Sequence, residues 1–260
     1  MADEVAWEQT GQVATIRLNR PEALNAMNRA VREGLMASLH RVRDDDSVRV
    51  AVLTGTGRAF CAGADLKERA RGESDRSGGP ETVLLGLPES FFTFDAQKPV
   101  IAAINGLALG GGLELALACD IRIASSAATF GTPEITRGFF PGGGAPLRLP
   151  RLIPRSMAME MLLTGEPIDA PTALQWGLVS RVVDPDEVLP TAMRMAERIA
   201  GFAPLAVRAN RELAYATEDM TMQQALRLSS LSRWVVGQTE DAAEGPRAFV
   251  EKRDPEYHGR

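Results

Sequence analysis

The chain has 260 residues, 45% hydrophobic and 24% charged, a balance that excludes collagen-like, disulfide-framework and disordered classes and leaves room for a full core. Aromatic residues are only 5%, so that core has to be mostly aliphatic. Lys+Arg 29 against Asp+Glu 34 gives a formal charge of -5, which offers a nucleic acid no general basic field and leaves any anionic ligand to local cations or backbone N–H groups.

The start, Met1-Ala2-Asp3-Glu4-Val5, lacks the basic and apolar regions of a signal peptide, and cytoplasmic residence is expected. Alternating apolar residues over 5–9 and 13–19, either side of Thr10-Gly11, predict a hairpin. Asn28 then precedes Val31, Leu35, Leu39 and Val42, the spacing of a capped amphipathic helix. A β-branched run over 48–54 predicts a buried strand that ends at Gly55 and Gly57 and delivers the chain into a loop over 58–65. Residues 71–80, rich in Gly, Ser, Asp and Arg, predict a mobile surface segment.

Lys98-Pro99 introduces a second buried strand over 100–104, followed by Asn105-Gly106, a glycine run and an apolar helix over 113–118; a third strand is predicted over 121–124. Asn105, four glycines and Glu114 interrupt the apolar stretch 100–119, which therefore predicts buried core and no membrane span. From residue 156 onward the pattern is helical, apart from a short strand over 178–183. The whole predicts an α/β domain with a helical extension and no close sequence repeat. Met157, Met159 and Met161 read as core filler.

Cys61 and Cys119 have no metal-ligand spacing and read as reduced thiols, and with only His40 and His258 there is little material for histidine chemistry or a metal site. Catalysis is left to carboxylates and backbone. Leu109-Gly110-Gly111-Gly112-Leu113-Glu114-Leu115 joins a buried strand to an apolar helix, where free N–H groups favour negative charge; a tight strand-to-helix turn is the simpler alternative. Glu114 is an acid inside an apolar helix, costly unless paired or shifted in pKa. A second acid, Glu134, lies among Gly131, Gly138 and the loop Pro141-Gly142-Gly143-Gly144, and reads either as a partner sharing a water with Glu114 or as a surface acid. Residues 59–67, Ala59-Phe60-Cys61-Ala62-Gly63-Ala64-Asp65-Leu66-Lys67, form either a carbonyl-binding loop or a plain turn capped by Asp65.

Taken together, residues 59–67, Lys98-Pro99-Val100-Ile101-Ala102-Ala103-Ile104-Asn105-Gly106, Gly110-Gly111-Gly112-Leu113-Glu114-Leu115 and Pro133-Glu134 resemble the enoyl-CoA hydratase (crotonase) family in order and spacing. Residues 158–165 and Phe249-Val250-Glu251-Lys252-Arg253 extend the likeness over most of the chain.

The resemblance implies a crotonase-like spiral of ββα units over 1–200, with a carboxyl-terminal helical region over 201–260 for oligomerisation and completion of the CoA site. It implies trimers or a dimer of trimers, an acyl-CoA thioester substrate of the kind met in fatty acid β-oxidation, and no cofactor beyond the CoA carried by the substrate. Ala64 and Gly111 match the backbone donors of an oxyanion hole, and Glu114 and Glu134 match the two hydratase carboxylates, Glu114 activating water and Glu134 exchanging the C2 proton. Ala62, Asp65, Leu66, Lys67 and Gly142 match substrate contacts; Phe249 and Lys252, placed about one helical turn apart on one face, match residues that reach the CoA of a neighbouring subunit. Glu22 stands where the family's hydratases commonly have a basic residue, and Phe139-Phe140 make the following loop bulkier than usual. The implied activity is hydration of a trans-2-enoyl-CoA to a 3-hydroxyacyl-CoA, with a Δ3,Δ2-enoyl-CoA isomerase or a non-catalytic acyl-CoA binding protein as alternatives.

Overall fold

The computed structural model describes residues 3–72 and 90–260, so most of the surface segment expected at 71–80 lies outside the described residues. The chain opens with β1 (Val5–Thr10) and β2 (Val13–Leu18), antiparallel across a turn in which Gly11 takes φ +56°. Helix α1 (Arg29–Asp44) follows, and its cap is the expected one: Asn28 accepts from Val31 N–H at 2.8 Å, a bond worth about 1 kcal/mol.

Three times in succession the chain then lays down one buried strand and one short strand: β3 (Val50–Gly55) with β4 (Ala59–Cys61), β5 (Val100–Ile104) with β6 (Leu107–Leu109), and β7 (Ile121–Ser125) with β8 (Thr129–Gly131). Helix α2 (Leu66–Ala70) follows the first pair, α3 (Gly111–Ala118) the second, and a 3-10 turn (Pro133–Arg137) with α4 (Ala145–Leu152) the third. Further on come α5 (Arg155–Thr164), β9 (Ile168–Asp169), α6 (Ala170–Trp176), β10 (Arg181–Val183) and α7 (Val188–Ala200). The long strands join into a six-stranded sheet of order β1-β2-β3-β5-β7-β10, parallel from β2 onward, and the short ones into a second sheet of order β4-β6-β8-β9. The result is the spiral of strand, strand and helix that the resemblance implied.

Both faces of the large sheet are covered, which is why β3 and β5 read as unbroken apolar runs. Ala51 and Leu53 face the main core with Val31, Leu35 and Leu39 of α1. Val50, Val52, Ile101 and Ala103 face the opposite way, onto Val188, Ala192, Ala196 and Ala200, which recur every four residues along α7. Cys61 and Cys119 are free and buried, and burial pushes both thiols up to about 12. Met161 is buried and Met157 packs against the core, but Met159 is 39% exposed on the outer side of α5, which corrects the expectation that all three fill the interior.

Helices α8 (Pro204–Ala216), α9 (Met222–Gly237) and α10 (Glu240–Glu251) complete the chain. Neither α8 nor α9 buries a residue, and α9 exposes Met222, Leu226, Leu231, Trp234 and Val235. The last residues fold back, with Asp241 accepting from His258 N–H at 2.7 Å and Gly259 N–H at 2.8 Å. Among the described residues no helix is long and apolar enough to cross a membrane.

Candidate active site

The short strands bring two glycine-containing loops side by side. The loop after β4 is held to Met27 by a bridge in which Met27 N–H donates to Gly63 O and Asp65 N–H to Met27 O, at 2.8 and 3.1 Å. That pairing passes over the N–H of Ala64, which donates to no acceptor among the described residues. Facing it, Gly111 opens α3, so its N–H has no acceptor within the helix. The two loops are in contact: a β-carbon on Gly63 would stand 3.2 Å from Gly111 N, and one on Gly112 would stand 2.0 Å from the Cys61 carbonyl oxygen. Only glycine at 112 allows this approach, and it sets two unengaged donors next to each other.

The carboxylates converge on the same helix start. Glu114, in the first turn of α3, is 2% exposed, and its Oε1 accepts from Ala145 N–H at 3.0 Å. Burial pushes its carboxyl above the ordinary range, while the N–H groups of Ala145, Gly143 and Gly144 and the Arg148 cation pull the other way. It therefore faces the amino end of α4, where a negative charge is favoured. Glu134, on the 3-10 turn, is 8% exposed, and its Oε2 is buried with no hydrogen-bond partner among the described residues. Burial raises its carboxyl too, and the charge of Glu114 adds in the same direction. A β-carbon on Gly110, which takes φ +54°, would stand 2.6 Å from Glu134 Oε1, so this glycine leaves room for the acid. The surface-acid reading of Glu134 is thereby corrected.

Two residues that the sequence did not single out complete the centre. Arg148 donates to Gly143 O at 3.0 Å and to Phe92 O at 2.5 Å, tying together the two segments beside Glu114. The Phe92 ring is packed against Gly143 and Gly111. A basic residue one turn into a helix that starts in a glycine loop was the available signal for Arg148; Phe92 had none, since the aromatics near it follow no period.

The other expected residues surround this centre unequally. Asp65 caps α2, its Oδ1 accepting from Lys67 and Glu68 N–H at 3.0 and 3.3 Å and its Oδ2 pairing with Arg20 at 3.1 Å. Against burial, the hydrogen bonds from Glu68, Arg20 and Lys67 hold its carboxyl below the usual range. Ala62 gives its N–H to Leu24 O at 3.0 Å, Leu66 and Lys67 are exposed at the start of α2, and Gly142 opens to solvent. Phe139 carries the guanidinium of Arg69 4.3 Å above its ring, and Glu22 is exposed. Phe249 is 84% exposed on α10, outside the hydrophobic core. Lys252 lies past the end of α10 as a left-handed cap at φ +57°, so the shared helical face expected for the pair is interrupted.

The chain matches the Enoyl-CoA hydratase/isomerase family model over residues 8–260. Carnitinyl-CoA dehydratase of Proteus mirabilis (strain HI4320) is 45% identical over 255 residues, 96% of each chain. (E)-benzylidenesuccinyl-CoA hydratase of Thauera aromatica is 44% identical over 265 residues, 98% of this chain and 99% of the relative. The crystal structure of enoyl-CoA hydratase EchA1 from Mycobacterium marinum is similar with a TM-score of 0.91 at 38% identity, covering 99% of this chain and 100% of the other. With its spiral of two sheets and its helical carboxyl-terminal region, the chain belongs to the enoyl-CoA hydratase/isomerase family and has the crotonase fold.

Proposed function

We propose that the protein adds water reversibly across the C2–C3 double bond of a trans-2-enoyl-CoA, giving a 3-hydroxyacyl-CoA. The observation that carries this reading is the pair of buried acids, Glu114 and Glu134, both raised above ordinary carboxylates and set against the start of α3. Two buried carboxyls, of which Glu134 is raised further by the charge of Glu114, suit a reaction that needs a base and an acid together.

Glu114, steadied as an anion by the N–H of Ala145, takes a proton from water as the hydroxyl oxygen bonds to C3. The C2–C3 π electrons move onto the thioester oxygen, where the N–H groups of Ala64 and Gly111 receive the charge. Glu134, which the neighbouring charge disposes to hold a proton, delivers it to C2 as the enolate collapses. Transfer of the proton from Glu114 back to Glu134 resets the pair, so the balance closes without a further cofactor. The CoA arm is assigned to the open groove of about 580 Å3 that Asn28, Ala30 and Lys67 line beside α2. Phe249 and Lys252 of a neighbouring copy are assigned to its adenosine end, in a trimer or dimer of trimers for which the exposed apolar residues of α9 supply surface.

Loss of the conjugated enoyl-thioester absorbance on mixing with a series of trans-2-enoyl-CoAs tests the proposal. Migration of a C3 double bond without hydration makes the protein an isomerase, and thioester binding without either change makes it a binding module; each outcome overturns the hydratase reading.

A further inference from the structure

Met27 touches both segments that carry the unengaged N–H groups. Its backbone runs alongside the loop after β4 in a short ladder: Ala62 N–H donates to Leu24 O at 3.0 Å, Met27 N–H to Gly63 O at 2.8 Å and Asp65 N–H to Met27 O at 3.1 Å. The Gly63 carbonyl therefore points at Met27. Across the planar trans peptide that follows, the Ala64 N–H must point the opposite way, out of the ladder. The side chain of Met27 goes to the other donor. Its terminal methyl lies 2.6 Å from where a β-carbon on Gly111 would stand, so it occupies the space that a side chain at 111 would take. Met27 is 3% exposed, and its backbone is anchored by its neighbours. Arg20 donates through Nη1 to Ala26 O at 2.7 Å and through Nη2 to Asp65 Oδ2 at 3.1 Å, and Arg32 Nη1 donates to Met27 O at 3.2 Å. Buried Asn25 gives its amide to Thr56 O and Ala59 O at 3.0 and 2.7 Å. With the backbone held in this way, the unbranched thioether chain is a spacer between the Ala64 loop and the first turn of α3.

We propose that Met27 is the positioning residue of the oxyanion hole: its backbone aims the Ala64 N–H and its methyl sets the place of the Gly111 N–H, so that both meet one thioester oxygen. The inference rests on the part of the hydratase reading that puts this oxygen between Ala64 and Gly111. Met27 touches no reacting atom. It acts only through the two donors, and so its loss is felt where charge gathers on the oxygen.

The test has two readouts. In hydration of trans-2-butenoyl-CoA, Met27→Ala keeps the backbone ladder and removes the spacer, so kcat should fall about tenfold with little change in KM, as for a small displacement of a group that acts in the transition state. Met27→Leu, one atom shorter than methionine, should lose less, and serves if Met27→Ala unfolds. Adding Gly111→Ala to Met27→Ala puts a methyl into the vacated space and should return part of the lost kcat, although Gly111→Ala alone crowds Met27. The second readout needs no hydration. Bound acetoacetyl-CoA that gives its C2 proton to solvent becomes an enolate whose charge spreads onto the thioester oxygen, and its absorbance is followed against pH. Wild-type protein should lower the midpoint below that of the free thioester, and Met27→Ala should raise the bound midpoint by about one unit, the same tenfold effect. A folded Met27→Ala with wild-type kcat and midpoint overturns the proposal and leaves the hydratase reading standing. A lowered kcat with an unmoved midpoint, or one that Gly111→Ala does not restore, makes the side chain mere packing and overturns the proposal too. Wild-type protein that lowers the midpoint but hydrates nothing overturns the hydratase reading alone; if it does not lower the midpoint, the oxyanion hole and this proposal fall together.

Discussion

The N–H of Ala145 donates to Oε1 of Glu114 at 3.0 Å, which places the acid of one helix at the amino end of another. Arg148, one turn further along α4, adds a cation and clamps Gly143 through its carbonyl. Its removal should therefore raise the Glu114 carboxyl still further. The expected outcome for Arg148→Met is an acid limb of the kcat/KM profile moved to higher pH, with activity recovering toward the plateau as pH rises. Arg148→Lys keeps the charge and should leave that limb near its wild-type position. A uniform loss at every pH in both variants would mean that the arginine only holds the loop.

Glu134 couples activity to stability. Glu134→Gln should lower kcat by about 10²-fold or more, the usual range for an acid/base group, and Glu114→Gln should do the same. The stability of Glu134→Gln should move the other way. A buried acid raised above its unfolded value of about 4.3 binds more protons folded than unfolded in the window between the two, so stability falls as pH rises through it. The amide removes that loss. Thermal melts should show Glu134→Gln exceeding wild type at neutral pH and the gap closing toward pH 4; a gap that does not change with pH contradicts the raised carboxyl.

The oxyanion assignment separates into two variants of one residue. Any side chain at 111 meets the terminal methyl of Met27, 2.6 Å from an added β-carbon, but that is the far end of a flexible chain. Gly111→Ala keeps the N–H and should lose little beyond this crowding. Gly111→Pro loses the N–H at a helix position that proline tolerates, and should cost about 10²- to 10³-fold in kcat with the fold retained by circular dichroism. Equal activity in the two folded variants removes Gly111 from the oxyanion hole.

Much of this architecture was legible because burial writes itself into sequence. The both-faced strands β3 and β5 are unbroken apolar runs, α1 shows its cap and stripe, and the glycine run with Glu114 marks the centre. The second sheet was not legible, since β4, β6, β8 and β9 are two or three residues long and too short to show a period of two. The repeating spiral likewise leaves no sequence repeat, because its corners are fixed by backbone contacts: a β-carbon on Gly55 would stand 2.3 Å from Ala59 O, and one on Gly106 2.1 Å from Arg58 O. The glycine run was visible, but not that each member has its own neighbour, Glu134 for Gly110, Met27 for Gly111 and Cys61 for Gly112. Arg148 and Phe92 act through carbonyl and ring contacts that join segments about fifty residues apart, which spacing cannot show.

The Phe249 ring, 84% exposed on a packed helix, contributes little to the hydrophobic core and is free to meet another surface. The reading that it is covered by a neighbouring copy beside the adenosine end of CoA has a consequence that separates it from a stability effect. Phe249→Ala should raise KM for an enoyl-CoA about tenfold, as for an interface aromatic worth more than ~1 kcal/mol, while kcat changes little. The same enoyl group on a pantetheine arm, which lacks the adenosine end, should show almost no change in KM. Lys252→Ala should follow the same pattern more weakly, since it sits beyond the helix end and its ammonium is solvated. Light scattering on each variant then closes the argument: trimers or larger are expected, and a wild-type monomer that binds CoA normally rules out a site shared between copies.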